Sequence, residues 1–440
     1  MKKITQLFLL GTILSVFTII AACKKVENGT DTPTPTNKEV VELTGTISAN
    51  TTLVESKKYL LKGFVYVAEG VTLTIEAGTI IKGDKDTKGS LIIKPGAKLI
   101  AQGTAQKPII FTSNQAKGAR SYGDWGGIIL LGKATVNKSP ATIEGENIST
   151  FGGTNDDDNS GILKYVRIEF SGVAFEPDKE INGLTLGGVG RGTTIDYVQV
   201  SYSGDDAFEW FGGTASANHL ISFRTLDDDF DTDNGYTGKV QFGFALRDPN
   251  IADQCSCSSS NGFESDNDGN GTNALPQTKA AFANMSVFMA AGTVNSKYNN
   301  GALIRRNSAI SLYNTLIVGA YPKAGLELNG TASQNNFKSG LSEIKGLVLS
   351  GMSKTILTTD STRFYATERS NKTMSLADLK LDASFNSYLS PKLLPLSTSP
   401  LLTSSVVLPT GFTTANYIGA FGIEDWTLTW ANFDPQNTDY

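Results

Sequence analysis

The chain has 440 residues, 40% apolar and 18% charged, and a formal net charge of −5 that becomes −7 once Lys2 and Lys3 leave with an N-terminal leader. It is long enough for a large core, and with no basic stripe it excludes nucleic acid as an expected partner; a mildly acidic balance fits cations and neutral ligands better than polyanions. Forty-five glycines and short alternating runs of Val, Ile, Thr and Phe exclude a helical protein and predict an all-β chain.

Residues 1–22 read as a secretory leader: Lys2 and Lys3, then an apolar run from Leu7 to Ile20. Ile20-Ala21-Ala22-Cys23 places small residues ahead of a cysteine, the form of a bacterial lipobox. Lipid on Cys23 would anchor the chain to a membrane without spanning it. Lys24 rather than an aspartate follows, which points to the cell outer membrane. Residues 23–38, with NGTDTPTPTN, form a polar, extended tether.

Residues 39–355 predict a right-handed parallel β-helix, a solenoid of roughly 22-residue coils. In GFVYVAEGVTLTIEAGTIIKG (Gly63 to Gly83), Val65, Val67, Leu73 and Ile75 alternate with polar residues, and Leu91, Ile93, Leu99 and Ile109 do the same downstream. Gly70, Gly78 and Gly96 punctuate the strands. WGGIILLG (Trp125 to Gly132) reads as a buried strand, and residues 137–159 as an excursion ending in the acidic NDDDN. ILKYVRIEFSG, TIDYVQVSYSG and ANHLISFRTLD then share one frame. A long polar loop, Arg247 to Gln277, holds Cys255 and Cys257, which pair with each other if the protein is exported. Residues 356–440 are read as a last coil and a capping region. There SLADLKLD suggests a short capped helix, and the aromatics of Tyr417 to Pro435 are assigned to capping the solenoid's end.

Two segments organise the chain: GDDAFEWFGG (Gly204 to Gly213) and LDDDFDTDNGY (Leu226 to Tyr236). A slide of 22 residues sets Asp205 on Asp227, Asp206 on Asp228, Phe208 on Phe230, Glu209 on Asp231 and Gly213 on Gly235. Stacked coils bring such residues about 4.8 Å apart. Like charges at that spacing repel by about 0.9 kcal/mol in water and about 3.5 kcal/mol at an effective dielectric of 20. A hard cation among the carboxylates would relieve this, and Ca²⁺ tolerates irregular oxygen geometry best. The candidate ligands are Asp205, Asp206, Glu209, Asp227, Asp228, Asp229, Asp231 and Asp233. Glu264, Asp266 and Asp268 join them from NGFESDNDGNGT, which resembles the first half of an EF-hand loop but has Leu275 at its twelfth position. Phe208, Trp210, Phe211, Phe230 and Tyr236 interleave with the acids and offer faces for a sugar to stack on.

No catalytic residue is assigned. Asp205-Asp206 resembles the paired Asp of polygalacturonases, whose Gly-His-Gly and Arg-Ile-Lys motifs are missing. The single histidine, His219, reads as a surface strand residue. Pectate lyases use Asp-held Ca²⁺ with a basic residue, for which Arg224, Arg247, Arg305 and Arg306 are candidates; Arg305 and Arg306 are also placed to compensate the acids.

The run from Ser203 to Phe242, NGFESDND, RRNSAISLYNTLIVG and the YIGAF…W…W…FDP tail resemble, in order, a family of exported β-helix proteins from Bacteroidota. The resemblance implies the fold and an exported location, and carries no known reaction. The expectation is thus an outer-membrane-anchored lipoprotein with a Ca²⁺-stabilised site that binds a glycan or another envelope polymer. The alternatives are a Ca²⁺-dependent polysaccharide lyase or hydrolase, and a purely structural or adhesive surface protein.

Overall fold

The computed structural model describes residues 38–143, 145–176, 179–253 and 259–440. The leader, Cys23 and the Cys255–Cys257 pair lie outside them. Among the described residues, twenty-eight strands hydrogen-bond into one parallel system, and two short antiparallel hairpins, Ala141–Ile143 with Glu146–Phe151 and Ala174–Glu176 with Lys179–Glu180, stand outside it. This is the all-β parallel solenoid that the alternation predicts.

Coils without insertions repeat at 22 residues: Lys58 pairs with Ile80, Val198 with Leu220 and Phe208 with Phe230. Loops lengthen the others, so that Phe230 meets Phe263 and Phe263 meets Ala302. Strand Gly127–Leu131 is buried throughout. Strands at Ile356–Leu357 and Lys372–Thr373 carry the parallel ladder past residue 355. The core is a continuous stack of inward side chains, in which Phe208 stacks on Phe230 at 5.9 Å and Phe230 meets Phe263 at 5.3 Å.

One corner repeats with unusual backbone. Tyr165, Tyr197, His219, Phe242, Asn284 and Asn314 have φ of 51, 56, 51, 60, 51 and 45° and occupy equivalent places on successive coils, with Gly346 after them. A left-handed non-glycine residue costs about 1–2 kcal/mol. The rings recover a comparable amount by stacking, at 4.5 Å for Tyr165–Tyr197, 4.2 Å for Tyr197–His219 and 5.1 Å for His219–Phe242. His219 also bonds Asp196 at 2.8 Å. It is a half-buried residue of strand Ala217–Phe223, and its ring stands in this column.

The C-terminal region corrects one expectation. The short helix is there, Leu376–Leu379, with the Ser375 hydroxyl accepting from Asp378 N. The aromatics that follow do not close the solenoid's end. They run back along its flank, where Leu401, Ile418, Phe421 and Trp430 cover Phe223, Phe244, Phe288 and Leu316 on the outer side of one sheet. Side-chain amides of four coils hold this strap: Asn314 to Val406 O (2.8 Å), Asn284 to Tyr417 O (2.7 Å), Gln241 to Thr413 O (2.8 Å) and Gln199 to Asn432 O (2.7 Å). Trp426 and Trp430 set their edges against the stacked corner. The apolar flank left outside the coils needs cover as much as the end does. Phe337 of helix Gly330–Ser339 and Phe364 take the terminal position in the inner core.

Candidate acidic site

Two columns of side chains build the site. The first contains Asn182, Asp206, Asp228, Asn261 and Asn300, one per coil, each two residues before a paired strand position. Asp206 accepts from Asp228 N at 2.8 Å, Asp228 from Asn261 N, and Asn261 from Asn300 N at 3.0 Å. The side chains thereby extend the backbone ladder past the strand ends, satisfying N–H groups that would otherwise be buried unpaired. The second column, three residues on, is Thr185, Glu209, Asp231, Glu264 and Leu303.

The amides in the first column have a second task. Asn182 donates to Glu209, Asn261 to Glu264 at 3.1 Å, and Asn300 to Glu327 at 3.1 Å. In the two middle coils aspartate stands in the amide's place. It accepts the ladder bond as asparagine does but, ionised, has no proton to donate. Oxygens of Asp206, Glu209 and Asp231 lie within 4.8 Å of one another, and so do those of Asp205, Asp206 and Asp227. Buried Oδ1 of Asp231 has no hydrogen-bond partner among the described residues. Burial first, and then the neighbouring acids, push Asp206, Asp228 and Asp231 well above the ordinary carboxylate range. Burial also pushes Asp233 up to about 6. Glu264 rises to about 8, mainly through burial, despite Arg305 beside it.

The remaining candidates divide. Asp229 is not part of the acidic face: it points inward, fully buried, and pairs with Arg247 at 2.9 Å while accepting from Ser222 at 2.6 Å. Glu264 stacks on Asp231, but Arg305 pairs with it. Asp266 is held by Arg305 at 3.0 Å and Arg306 at 2.6 Å. Asp268 folds onto its own turn, accepting from Asn270 N (2.9 Å) and the Thr272 hydroxyl (2.5 Å). Glu264, Asp266 and Asp268 are thus each engaged by other donors, and among the described residues their oxygens are not among the acid groups that converge within 4.8 Å. Arg305 and Arg306 compensate charge, the second of the two roles open to them. Arg247 is buried on Asp229, and Arg224 pairs with Asp248 at 2.6 Å. Carboxylate partners outweigh the lowering effect of burial on Arg247 and Arg305 and keep both protonated, the wrong state for a base.

The aromatics are a second correction. Phe208, Trp210, Phe230 and Tyr236 are at most 1% exposed and form the inner core. On these strands the acids point out and these four rings point in, so none of the four offers a face to a sugar. Phe211 points outward and is 5% exposed, packed with Ile143 and Phe151 of the excursion.

Sequence reasoning passed over the asparagines. Their signal is a four-residue frame visible once the coils are aligned: Asn182-Gly-Leu-Thr, Asp206-Ala-Phe-Glu, Asp228-Asp-Phe-Asp and Asn261-Gly-Phe-Glu. Loop insertions hide the outer two by breaking the 22-residue spacing.

A family model described as a pectate-lyase like beta helix domain matches residues 45–386, more than three quarters of the chain. No curated protein and no solved structure matches the chain.

Proposed function

The chain belongs to the pectate-lyase-like β-helix domain family, a fold compatible with glycan binding and with lyase or hydrolase chemistry, and from that premise we propose that it is a calcium-stabilised glycan-binding protein held on the outer membrane by lipid on Cys23. The observation that carries the reading is the pair of coils in which aspartate replaces the donating asparagine. Oxygen ligands sit about 2.3–2.6 Å from Ca²⁺, so opposite ligands lie within about 5 Å of each other. The oxygens of Asp206, Glu209 and Asp231 meet that limit, and the unpartnered Asp231 Oδ1 fits a ligand atom in need of a cation. These residues would hold the ion, and the ion would supply positive charge where the neighbouring coils supply amide protons.

Binding is favoured over bond cleavage because the four arginines considered as bases are engaged by carboxylates. The lipobox of residues 20–23 and the tether after it support the anchored location.

Thermal unfolding in calcium and in chelator tests the ion. Calcium at 100 times its dissociation constant raises stability by about 2.7 kcal/mol. Asp206→Asn restores the donor of the flanking coils, so it should stabilise the chelated protein and abolish the response to calcium. Equal melting in calcium and chelator for the unaltered protein would defeat the ion site.

A further inference from the structure

A cleft of about 380 Å³ opens two residues along the strand from Asp231, and it is not part of the ladder. Its floor is Phe211, the one ring of the acidic segments that turns outward, with Asp233 and Asn234 beside it. One wall is Asn137 and Lys138 of the excursion, and the other is the loop around Gly269. The walls are tied together: Asn137 donates to Asn267 O at 2.7 Å, and its backbone N–H to Asn234 O at 3.0 Å. The cleft is thus preformed, and its volume falls in the range of roughly 300–1,000 Å³ usual for small-ligand sites.

We propose that this cleft binds a neutral pyranose unit of an oligosaccharide. Asn234 is 5% exposed and lines the cavity, yet no hydrogen bond among the described residues engages its side-chain amide. The amide opens onto the cavity and offers a donor and an acceptor side by side, and a sugar hydroxyl matches both. Asp233 beside it accepts a second hydroxyl, and the apolar floor takes a sugar's C–H face. The charge excludes a uronate. Asp233 and Asp268 outnumber Lys138 in the lining, and the acid ladder lies next door, so a sugar carboxylate would meet repulsion.

This inference rests on the glycan-binding reading, and Gly269 separates the two. A Cβ built on Gly269 meets nothing within 4 Å, and its φ is not left-handed, so Gly269→Trp should fill the cleft without disturbing the backbone. The measurement is calorimetric titration of the mature protein, in calcium, with cellotetraose, mannotetraose and tetragalacturonate. The expected result is binding of a neutral tetrasaccharide that weakens roughly tenfold or more in Gly269→Trp, at unchanged melting temperature. Gly269→Ala, which adds one methyl to the same wall, should keep most of the affinity and guards against a folding defect in the larger variant. Neutral sugar bound equally by Gly269→Trp would overturn the cleft and leave glycan binding standing. Preference for tetragalacturonate would overturn the neutral class. Binding of none of the three would overturn both this inference and the reading beneath it.

Discussion

The solenoid carries two columns of contrasting chemistry. On one corner Tyr165, Tyr197, His219 and Phe242 stack ring on ring beneath the C-terminal strap. On the other, Asp206 stacks on Asp228, and Glu209 on Asp231 and Glu264. A coil repeat multiplies whatever one position holds. Each aromatic pair adds about 0.5–1.5 kcal/mol, and each carboxylate pair subtracts a similar or larger amount. The first column is closed by its own chain. The second is balanced by Arg305 and Arg306 at one end and by Asn182 at the other, with the middle coils left to protons or a cation. The contrast teaches that burying a stack is enough when it is neutral, whereas a charged stack needs a partner matched in number to its coils.

The largest effect should come from opening the covered column. Trp430 is 1% exposed and packs edge-on against Tyr165 and Tyr197. Trp430→Ala should cost about 3–5 kcal/mol in a urea titration and leave the response to calcium intact. Loss of the calcium response in that variant would mean that the two columns are not independent. A smaller effect should follow from lengthening the charged column. Asn261→Asp keeps an acceptor for Asn300 N but removes the donor to Glu264. In chelator it should cost about 1–3 kcal/mol, the penalty of a buried polar group left unmatched. Calcium should recover part of that loss, and a loss equal in calcium and chelator would argue that the ion does not reach the third coil.

The charged column was half legible. The 22-residue register of Asp206 on Asp228 and Glu209 on Asp231 follows from the sequence because those coils have no insertion. Glu264 on Asp231 does not, since residues 247–260 lengthen the coil and sequence spacing loses the stack. Nor does the inward turn of Asp229, which depends on Arg247 meeting it from another coil. The aromatics were misplaced for a simpler reason. Alternation tells that Phe208 and Glu209 face opposite ways, but which face is inward is set by the whole coil. The strap was illegible because its partners, such as Phe244 and Leu316, alternate like any strand and their outer face declares itself only when the tail lies on it.

Asp233 gives the finest test of the contrast, because it lies at the edge of the charged column and its effect has a definite sign. Burial, its leading cause, lifts the carboxyl to about 6, while an unfolded aspartate titrates near 3.9. Between those values the folded state binds more proton than the unfolded state, so stability falls as pH rises through that window. A tenfold difference in proton affinity between the two states corresponds to about 1.4 kcal/mol, and partial exposure to water reduces what is realised, so a fall of about 1 kcal/mol between pH 4 and pH 6.5 is expected from this residue. Asp233→Asn should remove that portion of the fall in chelator and nearly match the unaltered protein at pH 4, where Asp233 is protonated in the fold. The measurement is a set of urea midpoints at half-unit steps of pH. Parallel profiles for the two proteins would mean that Asp233 is ionised throughout, compensated by Lys138 across the cleft, and that the burden of the column stops at Asp231.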